Sequence, residues 1–190
     1  MALDLLVFYG SYRTKRMGIR LAQYLIAGLK AQGARAELVD ARAIALPMLD
    51  RRYMDYESGT APAAMEQLAQ RIRAADGFVF VTGEYNWGVQ PGLKNLTDHY
   101  LAEWAGRPAA IASYSAGRTA GVRSAYAWHP TLTEMGMAVV PATLAVGGIG
   151  DALDEEGRPQ GSGGAALDRA FPGFADTLLS WCAVAKERKV

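Results

Sequence analysis

The chain has 190 residues, in which 20 lysines and arginines nearly balance 19 aspartates and glutamates. This length predicts a single domain over residues 1–190 with a sizeable hydrophobic core. The balanced charge argues against wholesale binding of nucleic acid or of an anionic membrane surface. The lone cysteine, Cys182, excludes an intrachain disulfide framework, and no apolar run is long enough for a transmembrane helix, so we expect a cytoplasmic protein.

Short apolar runs typical of buried strands alternate along the chain with longer runs that have helical spacing. In chain order they predict a strand over Leu3–Tyr9, a helix from Met17 that stops at Gly33, a strand over Ala36–Val39, a helix over Ala63–Ala75, a strand over residues 78–83, a helix over Leu93–Trp104, a strand over Ala109–Ser113, a helix over Thr119–Glu134, a strand over Met137–Val146 and a last helix over Ala165–Lys186. Strands that alternate with helices in this way predict a parallel α/β sandwich.

Prolines and irregular stretches modify this pattern. Pro130 is expected to kink or end the fourth helix in its last turn, and Pro141 places the fifth strand at an edge or at a bulge. Residues 41–62 and 147–164 lack periodicity and are expected to be long loops. The apolar faces of the third and last helices are expected to point inward, and near their ends they include Leu101, Trp181 and Val184.

The sequence lacks the Gly-x-Gly-x-x-Gly fingerprint after its first strand, which counts against a dinucleotide-binding Rossmann domain. The better fit is a flavodoxin-like three-layer sandwich, in which a five-stranded parallel sheet of order 2-1-3-4-5 carries helices on both faces. Ligands of such sheets bind in loops outside the carboxyl ends of the strands. The loops after the first and third strands are therefore the candidate sites.

The loop after the first strand, residues 10–18, has the composition of an anion site. It leads into a helix N-terminus, where unpaired N–H groups and the helix dipole favour a negative charge. Ser11 and Thr14 supply hydroxyls, while Arg13 and Arg16 supply charged, bidentate donors. Three cations within residues 13–16 would be unfavourable without an anion, which predicts a phosphate site. The alternative is a solvated basic turn in which one hydroxyl only caps the helix.

The loop after the third strand, residues 84–88, has the composition of a site for a flat heterocycle. Such a ligand needs backbone N–H and C=O groups at its edge and an aromatic or apolar wall. Tyr85, Asn86 and Trp87 can provide both. The alternatives are that Tyr85 and Trp87 are packing residues beneath a lid or in a subunit interface, and that Asn86 only holds the turn through its side chain.

Three motifs carry a resemblance to a known family over roughly residues 3–146. Gly10-Ser11-Tyr12-Arg13 with Arg16 and Gly18 is similar to a Gly-Ser-x-Arg phosphate loop in the variant with a second arginine. Gly83-Glu84-Tyr85-Asn86 followed by Leu93-Lys94-Asn95 is similar to a Pro-Glu-Tyr-Asn and Leu-Lys-Asn signature. Ser113-Tyr114-Ser115 through Gly121-Val122-Arg123 is similar to a Ser-Tyr-Gly loop with a later Gly-Gly-x-Arg. Together they resemble the NADPH-dependent FMN reductase family.

The resemblance implies a flavodoxin-like fold that binds FMN, usually as a homodimer or homotetramer. It further implies an NAD(P)H-dependent FMN oxidoreductase, in which hydride passes from NADPH or NADH to bound FMN and electrons then pass to a small-molecule acceptor, namely a flavin, quinone, azo dye or metal oxyanion. Carried over position by position, the residues implied to hold or border FMN are Ser11, Arg13, Arg16, Met17, Gly18, Glu84, Tyr85, Asn86, Trp87 and Ser115. The sequence departs from the family pattern at Gly83, Pro91 and Ala120, which leaves the ring contacts and the substrate pocket open.

We assign no catalytic acid, base or nucleophile, because the cofactor supplies the chemistry in such a protein. His99 and His129 have no partner at metal-ligand spacing, so no metal site is predicted. Two other functions remain open: a flavodoxin-like electron carrier, and a flavin-binding sensor without nicotinamide turnover. The near-neutral charge and the arginine-bearing phosphate loop favour the enzyme.

Overall fold

A computed structural model of the chain, which describes residues 2–188, has one five-stranded sheet. The strands are β1 (Asp4–Tyr9), β2 (Arg35–Asp40), β3 (Gly77–Gly83), β4 (Pro108–Tyr114) and β5 (Ala138–Val146). They lie in the order β2-β1-β3-β4-β5, and every neighbouring pair is parallel. The flavodoxin-like strand order predicted from the sequence is therefore confirmed.

Helices cover both faces of the sheet, which makes three layers. They are α1 (Gly18–Ala31), α2 (Ala41–Ile44), α3 (Ala63–Ala74), α4 (Pro91–Asp98), α5 (Val122–Glu134), α6 (Ile149–Ala152) and α7 (Gly161–Glu187). Leu5, Val7 and Tyr9 of β1 pack against α1, α6 and α7, whereas Leu6 and Phe8 pack against α3, α4 and α5. β1 is thus apolar at successive positions because both of its faces are buried. Among residues 2–188, no helix is long and apolar enough to span a membrane.

The predicted third helix is shorter than expected. α4 ends at Asp98, and a separate 3₁₀ turn covers Ala102–Trp104. Other donors take the carbonyls that a longer helix would use, since Tyr53 N donates to His99 O at 2.7 Å and Trp104 Nε1 donates to Tyr100 O at 3.1 Å. Leu101 consequently lies outside the helix and is exposed, so its expected inward orientation was wrong.

The last helix buries a different stripe near its end from the one expected. Its buried side chains include Phe174, Leu178 and Cys182, spaced four residues apart, and the last of these packs against Gly77 at the start of β3. This stripe turns Trp181 and Val184 outward, where they are 42% and 54% exposed. The prediction that both face the core was wrong because periodicity alone does not fix where a wide apolar face is centred.

Both segments predicted as long loops contain helical structure. Residues 41–62 begin with α2, which Asp40 caps by accepting a hydrogen bond from Arg42 N at 3.0 Å. Residues 147–164 contain α6 and the start of α7. The glycines there permit close packing, since a Cβ on Gly164 would lie 2.7 Å from the Ala152 carbonyl.

Two prolines have different outcomes. α5 continues through Pro130 to Glu134, so this proline does not end the helix. The carbonyl left without its N–H partner belongs to Tyr126, which is exposed to water and needs no replacement within the protein. Pro141 lies in the edge strand β5, where the register against β4 shifts between Ala109 and Ile111, as its position in the sequence predicted.

Candidate functional site

The loop after β1 offers backbone N–H groups to a ligand. α1 has no side-chain cap and no acidic residue in its first turn. Among the described residues, the amides of Thr14 to Met17 donate to no protein acceptor, and the Ser11 side chain is buried beneath them. A row of unpaired amides beside a helix N-terminus is the backbone arrangement that binds anions.

The three cations of this loop have different partners. The Arg16 guanidinium contacts both Asp40 carboxylate oxygens, at 2.7 and 2.6 Å, and this pairing raises the pKa of Arg16 above its usual value. Arg13 and Lys15 are exposed, and within residues 2–188 their side chains form no ion pair. The charge that the sequence led us to expect at this loop therefore remains only partly neutralised, by Arg16 and Asp40.

The loop after β3 is a tight turn closed by Tyr85 and Gly88, whose backbones exchange hydrogen bonds at 3.0 and 2.9 Å. Its two central residues, Asn86 and Trp87, have φ of 49° and 69°. Positive φ at both positions defines a type I′ turn, which asparagine adopts readily and tryptophan does not. Trp87 is held in this conformation although it is 69% exposed.

A hydrogen bond joins the two loops at the centre of the site. The hydroxyls of Tyr85 and Ser11 lie 2.9 Å apart. The Tyr85 ring is therefore oriented toward the phosphate-loop candidate, and its position relative to that loop is fixed. This answers one alternative raised by the sequence, since Tyr85 packs between two site loops.

Glu84 and Trp87 share one partner, Arg123, at the start of α5. The Arg123 guanidinium lies 2.6 Å from Glu84 Oε1 and stacks over the Trp87 ring, 4.6 Å from its centroid. The Glu84 side chain is only 10% exposed, and its second oxygen, Oε2, is buried without a hydrogen-bond partner in the described structure. Arg123 is thus the cation that compensates the Glu84 charge and supports the exposed indole.

The loop after β4 brings Ser115 to the same edge of the sheet. Ser115 Oγ donates to Gly117 O at 2.7 Å, which holds the loop rather than leaving the hydroxyl free. Beside it, Tyr114 is buried between Gly18 and Gly83, and its hydroxyl accepts a hydrogen bond from Gln90 Nε2 at 2.8 Å. Burial raises the pKa of the Tyr114 phenol far above its usual value, so this side chain stays neutral.

A cleft of about 360 Å³ lies between the three loops. Eight of its twelve lining residues are Ser11, Arg13, Lys15, Arg16, Met17, Glu84, Tyr85 and Ser115. A smaller depression beside it is lined by Arg13, Glu84, Tyr85 and Asn86. Two predicted residues line neither cavity: Gly18 packs behind the cleft against the Tyr114 ring, and Trp87 lies outward on Arg123.

The sequence analysis missed several residues that the structure brings to this site. Tyr114 and Ile149 line the cleft, and Arg123 supports it from α5. Arg123 belonged to a recognised motif, so a role could have been assigned to it. Ile149 gave no signal, because its segment resembles a glycine-rich loop. Within residues 2–188, no group of three His, Cys, Asp or Glu side chains could hold a metal ion.

The model of the NADPH-dependent FMN reductase family matches residues 3–151. The chain belongs to this family. The NAD(P)H-dependent FMN reductase LOT6 of Saccharomyces cerevisiae is 31% identical over 125 residues, which are 57% of this chain and 63% of that protein. A quinone reductase of Escherichia coli (strain K12) is 39% identical over 93 residues, 46% of this chain and 49% of that protein. These alignments thus span between about half and two thirds of the curated relatives.

A solved structure supports the family's fold over the whole chain. The flavoenzyme NAD(P)H:(acceptor) oxidoreductase FerB from Paracoccus denitrificans superposes with a TM-score of 0.75, covering 97% of this chain and 99% of its own. At 20% identity, this likeness shows the fold alone. The α/β class and the family resemblance inferred from the motifs are both confirmed.

Two departures from the family pattern have a structural explanation. Gly83 stands where the family has proline, and a Cβ there would lie 2.7 Å from Tyr114 Cζ, so the neighbouring ring excludes a side chain. Ala120 stands where the family has glycine, and it keeps a positive φ of 54°. Holding alanine in that conformation costs about 1 kcal/mol relative to glycine.

Proposed function

We propose that this protein is an NAD(P)H-dependent oxidoreductase that binds FMN in the cleft between the loops after β1, β3 and β4. The observation that carries the proposal is the set of unpartnered amides at Thr14 to Met17, with Arg13 and Lys15 beside them. A doubly charged phosphate would accept these N–H groups and offset these two cations. Family membership supports the same cofactor, since the family is named for FMN and NADPH.

The residues of the cleft fit the parts of FMN. Ser11, Arg13 and the amides up to Gly18 would hold the phosphate, with Arg16 contributing from its pair with Asp40. Glu84, Tyr85 and Asn86 would border the flat ring, Met17 would offer it an apolar contact, and Ser115 with its neighbours would approach from the loop after β4. Trp87 would lie at the outer rim of the same turn.

When bound, FMN supplies the redox chemistry, taking a hydride from NADPH or NADH and passing two electrons to an acceptor. The protein's part is to bind and orient. The Ser11 and Tyr85 hydroxyl pair keeps the two loops in register, and Arg123 neutralises the Glu84 carboxylate beside the cleft. We assign no side chain as a catalytic acid or base, because the reaction needs none from the protein.

The acceptor and the assembly are finer proposals. The relatives described above are named as FMN and quinone reductases, which supports a flavin or quinone acceptor, with azo dyes and metal oxyanions as further members of the class. We also propose a homodimer or homotetramer. Val122 and Tyr126, one turn apart on α5, are 50% and 83% exposed, an apolar surface that a second copy of the chain could cover.

Absorbance spectroscopy and a turnover assay test the proposal together. The purified protein should show a flavin band after incubation with FMN and gel filtration, and it should oxidise NADPH or NADH in the presence of a quinone. A protein that binds FMN but oxidises neither nicotinamide with any acceptor would be an electron carrier or a sensor. A protein that binds no FMN would overturn the proposal altogether. Light scattering of the same sample measures the number of subunits.

A further inference from the structure

A second cavity lies beside the cleft, on the other side of Arg13 and Tyr85. It has a volume of about 440 Å³, within the range of small-molecule sites. Its walls include Tyr12, Leu46, Met48 and Asn95 together with the first residues of α4. We call it the Tyr12 groove. Arg13 and Tyr85 line both the groove and the cleft, so a ligand in the groove would lie one side chain away from a ligand in the cleft.

The walls of the groove are held in place. The Tyr12 hydroxyl donates to Ala41 O at 2.7 Å, and its ring packs on Gly92, where a Cβ would lie 2.4 Å from Tyr12 Cδ2. Asn95 accepts from Leu49 N and donates to Pro47 O, both at 2.8 Å, and so fixes the segment that carries Leu46 and Met48. The groove is therefore preformed, a property that lowers the entropic cost of binding.

The polar side chains of the groove are already engaged. The Tyr12 hydroxyl donates to Ala41, the Tyr85 hydroxyl pairs with Ser11, and the Asn95 amide bonds to backbone on both of its sides. Arg13 is the one charged side chain in the lining, and in the proposed function the FMN phosphate occupies it. What remains for a ligand is the Tyr12 ring, the Leu46 side chain and the Met48 thioether, all of which favour an apolar, planar molecule.

We propose that the Tyr12 groove is the acceptor subsite of the enzyme and that it selects an uncharged planar ring of the quinone type. The proposal rests on the proposed function, because the acceptor must lie beside the flavin. A nicotinamide dinucleotide fits the groove poorly, since its phosphates would find no free cation there. In the overall reaction NAD(P)H gives a hydride and the solvent gives one proton. The quinone gains two electrons and two protons and leaves as hydroquinone, and NAD(P)⁺ is released.

Methionine NMR tests binding without any turnover. With methyl-¹³C methionine in the full chain, menadione added to the protein, with or without FMN, should shift the Met48 methyl signal. Met54, which is 56% exposed on the same segment but does not line the groove, is the internal control. A shift at Met48 alone supports the proposal. No shift at Met48, or an equal shift at Met54, overturns it, whether or not the protein turns over NADPH.

Kinetics then test the selection against charge. Met48 is 78% exposed, so Met48→Glu should fold normally, and Met54→Glu is its matched control. We expect Met48→Glu to raise KM for menadione by roughly tenfold, the scale of one lost apolar contact, with KM for NADPH unchanged. Met48→Arg should shift the preference toward a naphthoquinone sulfonate. Equal behaviour of Met48→Glu and Met54→Glu would overturn the proposal, whereas absence of NADPH oxidation with every acceptor would overturn the proposed function instead.

Discussion

Arg16 and Asp40 form a two-pronged ion pair, with N···O distances of 2.7 and 2.6 Å, that ties the loop after β1 to the end of β2. The Asp40 side chain is 8% exposed and also caps α2 through Arg42 N. One carboxylate therefore holds the phosphate-loop candidate and starts the segment that leads to the Tyr12 groove. The pair lies at the carboxyl edge of the sheet, where the proposed cofactor would bind.

The first prediction concerns this pair. Asp40→Asn keeps a helix-capping oxygen but removes the charge that faces Arg16, so the free energy of unfolding should fall by about 1–2 kcal/mol. Urea denaturation measures the change. Asp50→Asn, at an exposed aspartate in the following segment, is the control and should be neutral. Equal stability of the two variants would mean that the pair contributes nothing measurable.

The second prediction concerns Arg13. Arg13→Ala should weaken FMN binding by about 1.5–3 kcal/mol, the range for a hydrogen bond to a charged group. Fluorescence titration of the flavin gives the dissociation constant. Riboflavin, which lacks the phosphate, provides the matched comparison, and its affinity should be the same for the variant and the parent protein. An equal loss for both flavins would place Arg13 at the ring, and no loss for either would place the phosphate elsewhere.

The third prediction concerns Glu84 and Arg123. Arg123→Gln leaves a carboxylate that is nine-tenths buried without its cation, which should lower the free energy of unfolding by about 1–3 kcal/mol. Adding Glu84→Gln removes the orphaned charge, so the double variant should recover at least part of the loss. Arg118→Gln, at an exposed position of the preceding loop, is the control. A double variant that is as unstable as the two single losses combined would show that the residues do not interact.

The fourth prediction concerns alkaline pH. Burial raises the pKa of Tyr9 and of Tyr114 above the usual value of about 10. In the unfolded chain these phenols ionise near pH 10, whereas in the folded protein they keep their protons. The folded state then binds more protons, so stability should fall as the pH rises above about 10.

Urea denaturation at a series of alkaline pH values tests this slope. Tyr114→Phe should make the decline shallower because one such group is removed. Tyr126→Phe, at a side chain that is 83% exposed, should leave the slope unchanged. A decline that Tyr114→Phe does not alter would mean that other groups cause the alkaline loss.

The sequence predicted the strand order, the family and the two site loops because these depend on local patterns. Apolar runs with breaks at Gly10 and Gly83 mark where strands end, and parallel strands bring their carboxyl ends to one edge of the sheet. Ser11, Arg13 and Tyr85 could be selected on that basis, and the structure brings all three to the cleft. Their contacts with a cofactor remain predictions.

Other features depend on contacts between distant parts of the chain. Arg16 was expected to face only a phosphate, but Asp40, 24 residues later, takes its guanidinium. Trp181 and Val184 were expected inside, but the packing of Cys182 on Gly77 turns them outward. The predicted loops at residues 41–62 and 147–164 contain helices that begin at a side-chain cap and at closely packed glycines.

The sequence by itself therefore determined the α/β sandwich, the family and the basic turn that opens the first helix, since hydrophobic periodicity and short motifs are local properties of a chain. Only the tertiary structure decided which charges are paired, which aromatic rings are exposed, and that a second, apolar groove adjoins the cleft at Arg13 and Tyr85. The physical reason is that ion pairing and cavity shape depend on side chains brought together from several elements, and no spacing along one segment encodes them.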